Sequence, residues 1–435
     1  VKSLSSYFVA NRNGSTAAVT GSLIATILGG SSTLGMAGIG YSKGLVGAWW
    51  LLSGVIGMAI LAFWLSRRIR SMGLYTLPAI LEKQYDSPGI KIIASVLISI
   101  AWIGIIAGQT IAAGKILSVF WPGNLPLLII ISGTVFIIYT TLGGQYSVIK
   151  TDIVQAAVII VGVFVSAAFG LSSQGGLVAV LENAPVGHGS FPLSPSFDAM
   201  HLLGFLFFVG LPYLAGPDIY TRLFSARSPE TAKKSAIRTA LVLLPLAFAV
   251  TLIGVIARVV LPGIPPESAF PALVMKMLPA GWNGLVIAAL LAAVMSSADT
   301  CLLTTGTIIS ADIIAPLRRR EMNDTSMLLL SRMMVVLIGI VSVFIALILG
   351  GIIKSLMLAY TVYSSGVVVP LLLGFYARPL RLNGAGAALA ALGGGALGLG
   401  LKLGGFGNLV LISLPVSALL LLAGSRLFNL LRKSQ

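Results

Sequence analysis

Stretches of about 20 apolar residues, parted by short polar breaks, recur from one end of this chain to the other. That pattern leaves few ways to fold. Wound as an α-helix, such a stretch spans the hydrocarbon of a bilayer, whereas a β-barrel would show shorter segments of alternating hydrophobicity. With 57% hydrophobic and 9% charged residues, and a mean hydropathy of +1.02, the chain is too apolar for a soluble globule. The sequence predicts an all-α, polytopic membrane protein. Roughly twelve spans are expected, at 18–42, 45–66, 92–119, 126–144, 151–171, 199–223, 238–261, 282–313, 326–349, 354–376, 384–403 and 407–429.

The net charge of +16 at first suggests a nucleic-acid binder, but its placement argues otherwise. Most basic residues, among them Lys2, Arg67, Arg68, Arg70, Arg222, Lys233, Lys234, Arg318, Arg319 and Arg320, fall on alternate loops and helix ends. By the positive-inside rule these face the cytoplasm, together with the N-terminus. The charge then needs no polyanion partner. Trp49, Trp50, Trp121 and Trp282 at outer ends, with Trp64, Tyr139, Tyr220 and Tyr376 at inner ones, read as interfacial belts. The single cysteine, Cys301, lies in an apolar run and excludes an internal disulfide. The chain opens on Val1 and the polar run from Ser3 to Gly14, with no signal peptide, and a further helix is expected to precede it.

Two spans are interrupted. The first carries Gly29, Gly30, Ser31, Ser32 and Thr33 at its middle, where weak helix formers and hydroxyls favour unwinding. Non-helical backbone at that depth is tolerated only where protein or a wet cavity surrounds it. The sixth span carries Gly210, Pro212, Gly216 and Pro217. Each opens a block of five spans, 18–171 and 199–376, with 384–429 as two additional helices. Five is odd, so the blocks enter the membrane from opposite sides. Broken helices at matching places of two inverted halves point to a transporter with its site between them.

The polar residues inside the spans are few. In the eighth span Ser296, Asp299 and Thr300 share a face with Ala293. Hydroxyls, a carboxylate and spare carbonyls are hard oxygen ligands suited to an alkali cation. Back-bonding to carbonyls one turn earlier would explain Ser and Thr equally well, but not Asp299. Asp152 opens the fifth span, where it either steadies the helix dipole beside Lys150 or serves a cation. Gln109, Thr110 and Lys115 make the third span polar; Lys115 reads as a side chain snorkelling to the interface. Asp218 and Asp312 read as structural ion pairs or caps. His188 and His201 have no metal-ligand spacing, and no nucleophile elbow or phosphate-binding glycine loop occurs, so no enzyme is expected.

These residues together resemble the sodium:solute symporter family, from about Tyr7 to the last span. The carriers are Tyr7-Phe-Val-Ala-Asn-Arg12, Gly35-Met-Ala-Gly-Ile-Gly-Tyr41, Thr140-Thr-Leu-Gly-Gly144 followed by Thr151-Asp-Ile-Val-Gln155, Ala293-Val-Met-Ser-Ser297 and Asp312. The resemblance implies a LeuT-like 5+5 inverted repeat. It also implies a sodium site made of the carbonyls of Ala25, Leu28 and Ala293 and the hydroxyls of Ser296 and Ser297. In some members a second sodium lies nearer the cytoplasm, which would involve Asp152, Ser296, Asp299 and Thr300. The sugar carriers' glutamine and asparagine fall at Ser32 and Gly210, which argues against a hexose. The proline carriers' aspartate and tryptophan fall at Ile27 and Val209; their tyrosine is kept as Tyr213.

The expected function is sodium-coupled import of a small organic solute by alternating access, in a monomer in the plasma membrane. The solute would sit among Gly29, Gly30, Ser31, Ser32, Thr33, Gln109, Gly210 and Tyr213. Free amides at Gly29 and Gly30 favour a carboxylate or amino-acid-like solute. Proton coupling through Asp152 or Asp299, and a transporter-like sensor or channel, are the alternatives.

Overall fold

The computed structural model describes residues 4–318 and 322–433. Lys2, Arg319 and Arg320 of the basic set, and Ser3 at the head of the opening polar run, lie outside the described residues. The first span is two helical arms, Thr16–Ile27 and Ser31–Lys43, bent by 61°. The hydroxyl of Ser15 accepts the amide of Ala18 and caps the first arm. That arm ends where Leu28 leaves helical geometry at φ −81°, ψ 45°, directly before Gly29 and Gly30. A glycine pair sustains a helix poorly, so the bend falls where propensity is weakest.

Among the described residues, ten other helices are long and apolar enough to cross a membrane. One of them, Leu125–Ser173, has 49 residues, which at 1.5 Å per residue is far too long for one bilayer. It turns at Gly144, whose φ of 66° and ψ of 176° suit glycine, and so supplies the fourth and fifth spans. The helices thus agree with the twelve or so spans expected. Among the described residues there is no strand, only isolated bridges such as Gly14 to Ala226.

The sixth span, Ala199–Ser225, runs as three pieces: Ala199–Phe208, Gly210–Ala215 and Pro217–Ser225. Gly216 is extended at φ −70°, ψ 135°. Pro217 lacks an amide and begins the last piece, the place in a helix where proline does least harm. The two broken spans are joined at one end, where the Gly14 amide donates to the Ser225 carbonyl at 2.9 Å and the Arg227 amide to the Gly14 carbonyl at 3.0 Å.

The eighth span, Trp282–Leu317, lies at the centre, against Leu125–Ser173, Pro88–Leu117 and Thr16–Ile27. Its most apolar stretch is 72% buried, against 28% for Asp324–Leu349, which lies at the periphery. Close approach elsewhere uses small residues: a Cβ on Gly254 would stand 2.0 Å from the Ala37 carbonyl oxygen, so Pro229–Val260 packs backbone to backbone on Ser31–Lys43.

Some surface assignments change. Trp50 and Tyr220, read as interfacial belt residues, are fully buried, whereas Trp121 and Trp282 are exposed. Apolarity alone does not distinguish a ring facing lipid from one facing another helix. Lys115 does not snorkel freely; it pairs with Glu267, whose other oxygen accepts the amides of Ile352 and Ile353. Asp312, read as an ion pair or cap, pairs with Lys91 at 3.5 Å.

Candidate functional site

The break in the first span leaves carbonyls without helical partners, and the eighth span brings a hydroxyl to them. Ser297 Oγ lies 2.6 Å from the Thr26 carbonyl oxygen and 3.5 Å from that of Ala25. A Cβ on Gly29 would come within 2.4 Å of Ser297 Oγ, so only glycine fits there. Ala25, Leu28 and Ala293 are fully buried. The donor set is neutral oxygen throughout, with no basic side chain bonded to it. Ser297 donates to a carbonyl here, and its lone pairs remain able to accept or to coordinate.

Ser296 does not join that centre. Its hydroxyl donates to Asp152 Oδ1, on the fifth span. The other carboxylate oxygen accepts from Ser22 and from Arg222 Nη2, the latter at 3.3 Å. Arg222 is completely buried and spends its donors on Asp152, Thr300, Ser22 at 3.1 Å and Gln145 at 3.2 Å. A guanidinium thus stands beside Asp152, on the face where the sequence reading set a possible second metal ion. Arg222 was read as an inner-end surface charge; it is an interior one. Thr300 donates back to the Ser296 carbonyl at 2.7 Å and lies 3.3 Å from Thr26 Oγ1. Asp299, also buried, turns aside and accepts from Thr140 at 2.7 Å.

Between the two breaks lies a cavity of about 30 Å³, room for about two waters. Ser31, Gln109, Tyr213 and Ser297 line it, together with Asp218, Trp102 and Tyr360. The other residues expected to hold solute are placed differently. The Gly30 amide donates to Gln109 Oε1 at 2.7 Å, so it is not a free donor. Ser32 meets Tyr213 at 3.3 Å, and Thr33 donates back to the Gly29 carbonyl at 2.8 Å. Gly210 is outside the cavity: a Cβ there would stand 2.9 Å from the Ser53 carbonyl oxygen, so its absence makes room for that stretch of backbone.

Sequence reasoning missed Arg222, Asp218, Ser22, Thr140 and Gln145. One signal was available. Asp218 and Arg222 are the only charged residues of Pro217–Ser225, and charges inside a membrane seek partners there. That Arg222 would cross to Asp152 is a matter of tertiary contact.

Two helices broken at matching places, with a hydroxyl-bearing central helix laid across the first break, define a transporter of the LeuT type. The comparisons agree. The family model for the sodium:solute symporter family matches residues 7–394, and the chain belongs to that family. It is 28% identical to a sodium/glucose cotransporter of Vibrio parahaemolyticus, over 88% of this chain and 77% of that protein. It is likewise 28% identical to a human sodium/myo-inositol cotransporter 2, over 75% of this chain and 54% of that protein. The chain therefore spans about half the length of such mammalian relatives. Among solved structures, a Na+-coupled sialic acid symporter in a substrate-bound, outward-open state superimposes with a TM-score of 0.83 at 20% identity, covering 98% of this chain and 92% of that one. A nucleobase-cation-symport-1 family transporter in a closed conformation gives 0.66 at 15% identity, covering 97% and 94%. Both likenesses concern the fold.

Proposed function

We propose that the chain is a sodium-driven symporter that imports a small organic solute by alternating access. Sodium would bind where Ser297 faces the carbonyls of Ala25 and Thr26, with the carbonyls of Leu28 and Ala293 completing the set. Binding there ties the first span to the eighth and biases the open state, and solute bound at the same break permits closure. The observation that carries this reading is the meeting of Ser297 with the freed carbonyls at the first break. The repeats would run 18–171 and 199–376, followed by two helices at 384–429. The basic loops and the N-terminus would face the cytoplasm across the plasma membrane, and a monomer would suffice.

The cavity does not favour a carboxylate. The amide of Gly30 is taken by Gln109, and Asp218 stands in the wall. The test is thermal stability of the purified protein in sodium against potassium at constant ionic strength, on wild type and Ser297→Ala. Sodium should stabilise wild type selectively by mass action, and the variant should lose the effect. A wild type indifferent to sodium would end the proposal.

A second reading keeps proton coupling, because Asp299 is buried with Thr140 as its hydrogen-bond donor and no basic side chain bonded to it. Concentrative uptake driven by pH in sodium-free buffer would favour it.

A further inference from the structure

The central cavity has a carboxylate in its wall and no cation. Asp218 sits in the first turn of Pro217–Ser225, just after the break at Gly216. Among the described residues it makes no ion pair and no hydrogen bond to another side chain; the charge of Arg222 and the backbone amides of Ile219 and of Asp218 itself support it. Arg222 is one turn further along the same helix, but its donors go to Asp152, Thr300, Ser22 and Gln145. Among the described residues, no lysine or arginine lines the cavity. A half-buried acid on a cavity wall, whose neighbouring guanidinium is bonded elsewhere, suits a positive group arriving in the cavity.

The remaining wall fits the same visitor. Trp102, Tyr213 and Tyr360 line the cavity with Asp218. Aromatic rings present negative faces, which attract an ammonium carbon shell, most strongly when water is excluded. Ser31 lines the wall too, and a serine hydroxyl can accept from an ammonium N–H or bond a second polar group.

We propose that the transported solute carries a positively charged nitrogen, and that Asp218 binds it within this ring of aromatic side chains. The inference rests on the transport reading above and adds the class of solute to it. Asp218 would contact the solute directly. The neutral oxygens around Ser297 would remain for the inorganic ion, so the two positive charges would enter neighbouring places separated by the first break. The volume of about 30 Å³ is too small for an organic ammonium ion, so the pocket has to widen as the arms of the broken spans part.

The test uses the full chain in detergent with saturating sodium. The thermal midpoint is measured with methylammonium, ethanolamine and choline, with 3,3-dimethylbutan-1-ol as the uncharged isostere of choline, and with acetate. The same set is run on Asp218→Asn and on Tyr360→Leu. At least one ammonium ion should raise the midpoint, while the isostere and acetate do not. Asp218→Asn should bind that ion at least about tenfold more weakly, as expected for loss of a charge-assisted contact. Its sodium-dependent shift should persist, showing that it has folded. Tyr360→Leu should weaken the ammonium ion less than Asp218→Asn does. The proposal is overturned if the isostere or acetate stabilises as well as the cations. It is equally overturned if Asp218→Asn keeps the full ammonium shift, or if no ammonium ion acts while sodium does. A wild type that responds to ammonium but not to sodium keeps the Asp218 site and removes sodium coupling alone.

Discussion

The eighth span presents two neighbouring serines to two unlike surroundings. Ser297 faces the broken backbone of the first span, where every partner is a neutral oxygen. Ser296, one residue earlier, faces Asp152, and there a guanidinium is already in place. A step of one residue on a helix turns a side chain by about 100°, enough to divide the interior into a centre that lacks a cation and a centre that contains one. The first has reason to take an ion from outside. In the second, the positive charge is covalently part of the chain.

The largest test of this contrast is Arg222→Gln. Removing one partner of a buried ion pair leaves Asp152 uncompensated, and a loss of about 3–5 kcal/mol in stability is expected, read as a fall in the thermal midpoint. Asp152→Asn together with Arg222→Gln should recover part of that loss, because the two effects are coupled. Strict additivity would mean that the pair is not a unit. Next comes Ser297→Ala, which should weaken sodium binding by about 1–3 kcal/mol, measured as the sodium concentration that gives half-maximal stabilisation. Ser296→Ala should change that concentration less. If Ser296→Ala proved the more damaging to sodium, the division between the two centres would fall. The smallest effect is expected at the far surface. Glu267→Gln loosens the contact with Lys115 and the helix starting at Ile352, and should lower stability by about 1 kcal/mol or less, and less still at high salt, read as a small fall in the midpoint.

Much of this architecture is legible in the sequence because the bilayer simplifies the problem. Length and apolarity identify the spans, and the Gly29-Gly30 and Gly216-Pro217 pairs identify the breaks before any coordinates are known. The polar face of the eighth span is also visible in the spacing of Ser296, Asp299 and Thr300. What escaped was pairing between elements. Asp152 and Arg222 are 70 residues apart, and no periodicity links them. Asp218 looked like an ion pair or cap because it stands near a span end with Arg222 close by; it does lie in the first turn of a helical piece, but the same position also sets it in the cavity wall. Gly210 was misread for a related reason. Glycine in an interrupted span serves either to free backbone or to admit a neighbour, and only the nearness of the Ser53 carbonyl tells which. Trp50 and Tyr220 escaped likewise, since a ring at a span end looks the same whether it faces lipid or another helix.

The backbone bonds that join Gly14 to Ser225 and Arg227 bear on how such a molecule moves. They stitch the start of one broken span to the end of the other, so at that end the two cannot swing apart without tearing main-chain hydrogen bonds. Each break therefore has one tethered arm and one arm that is free of this stitch. Displacement applied at the loops of the tethered side is shared by both spans at once, as in a lever with a common grip, and each break is left to act as the fulcrum on which its other arm turns.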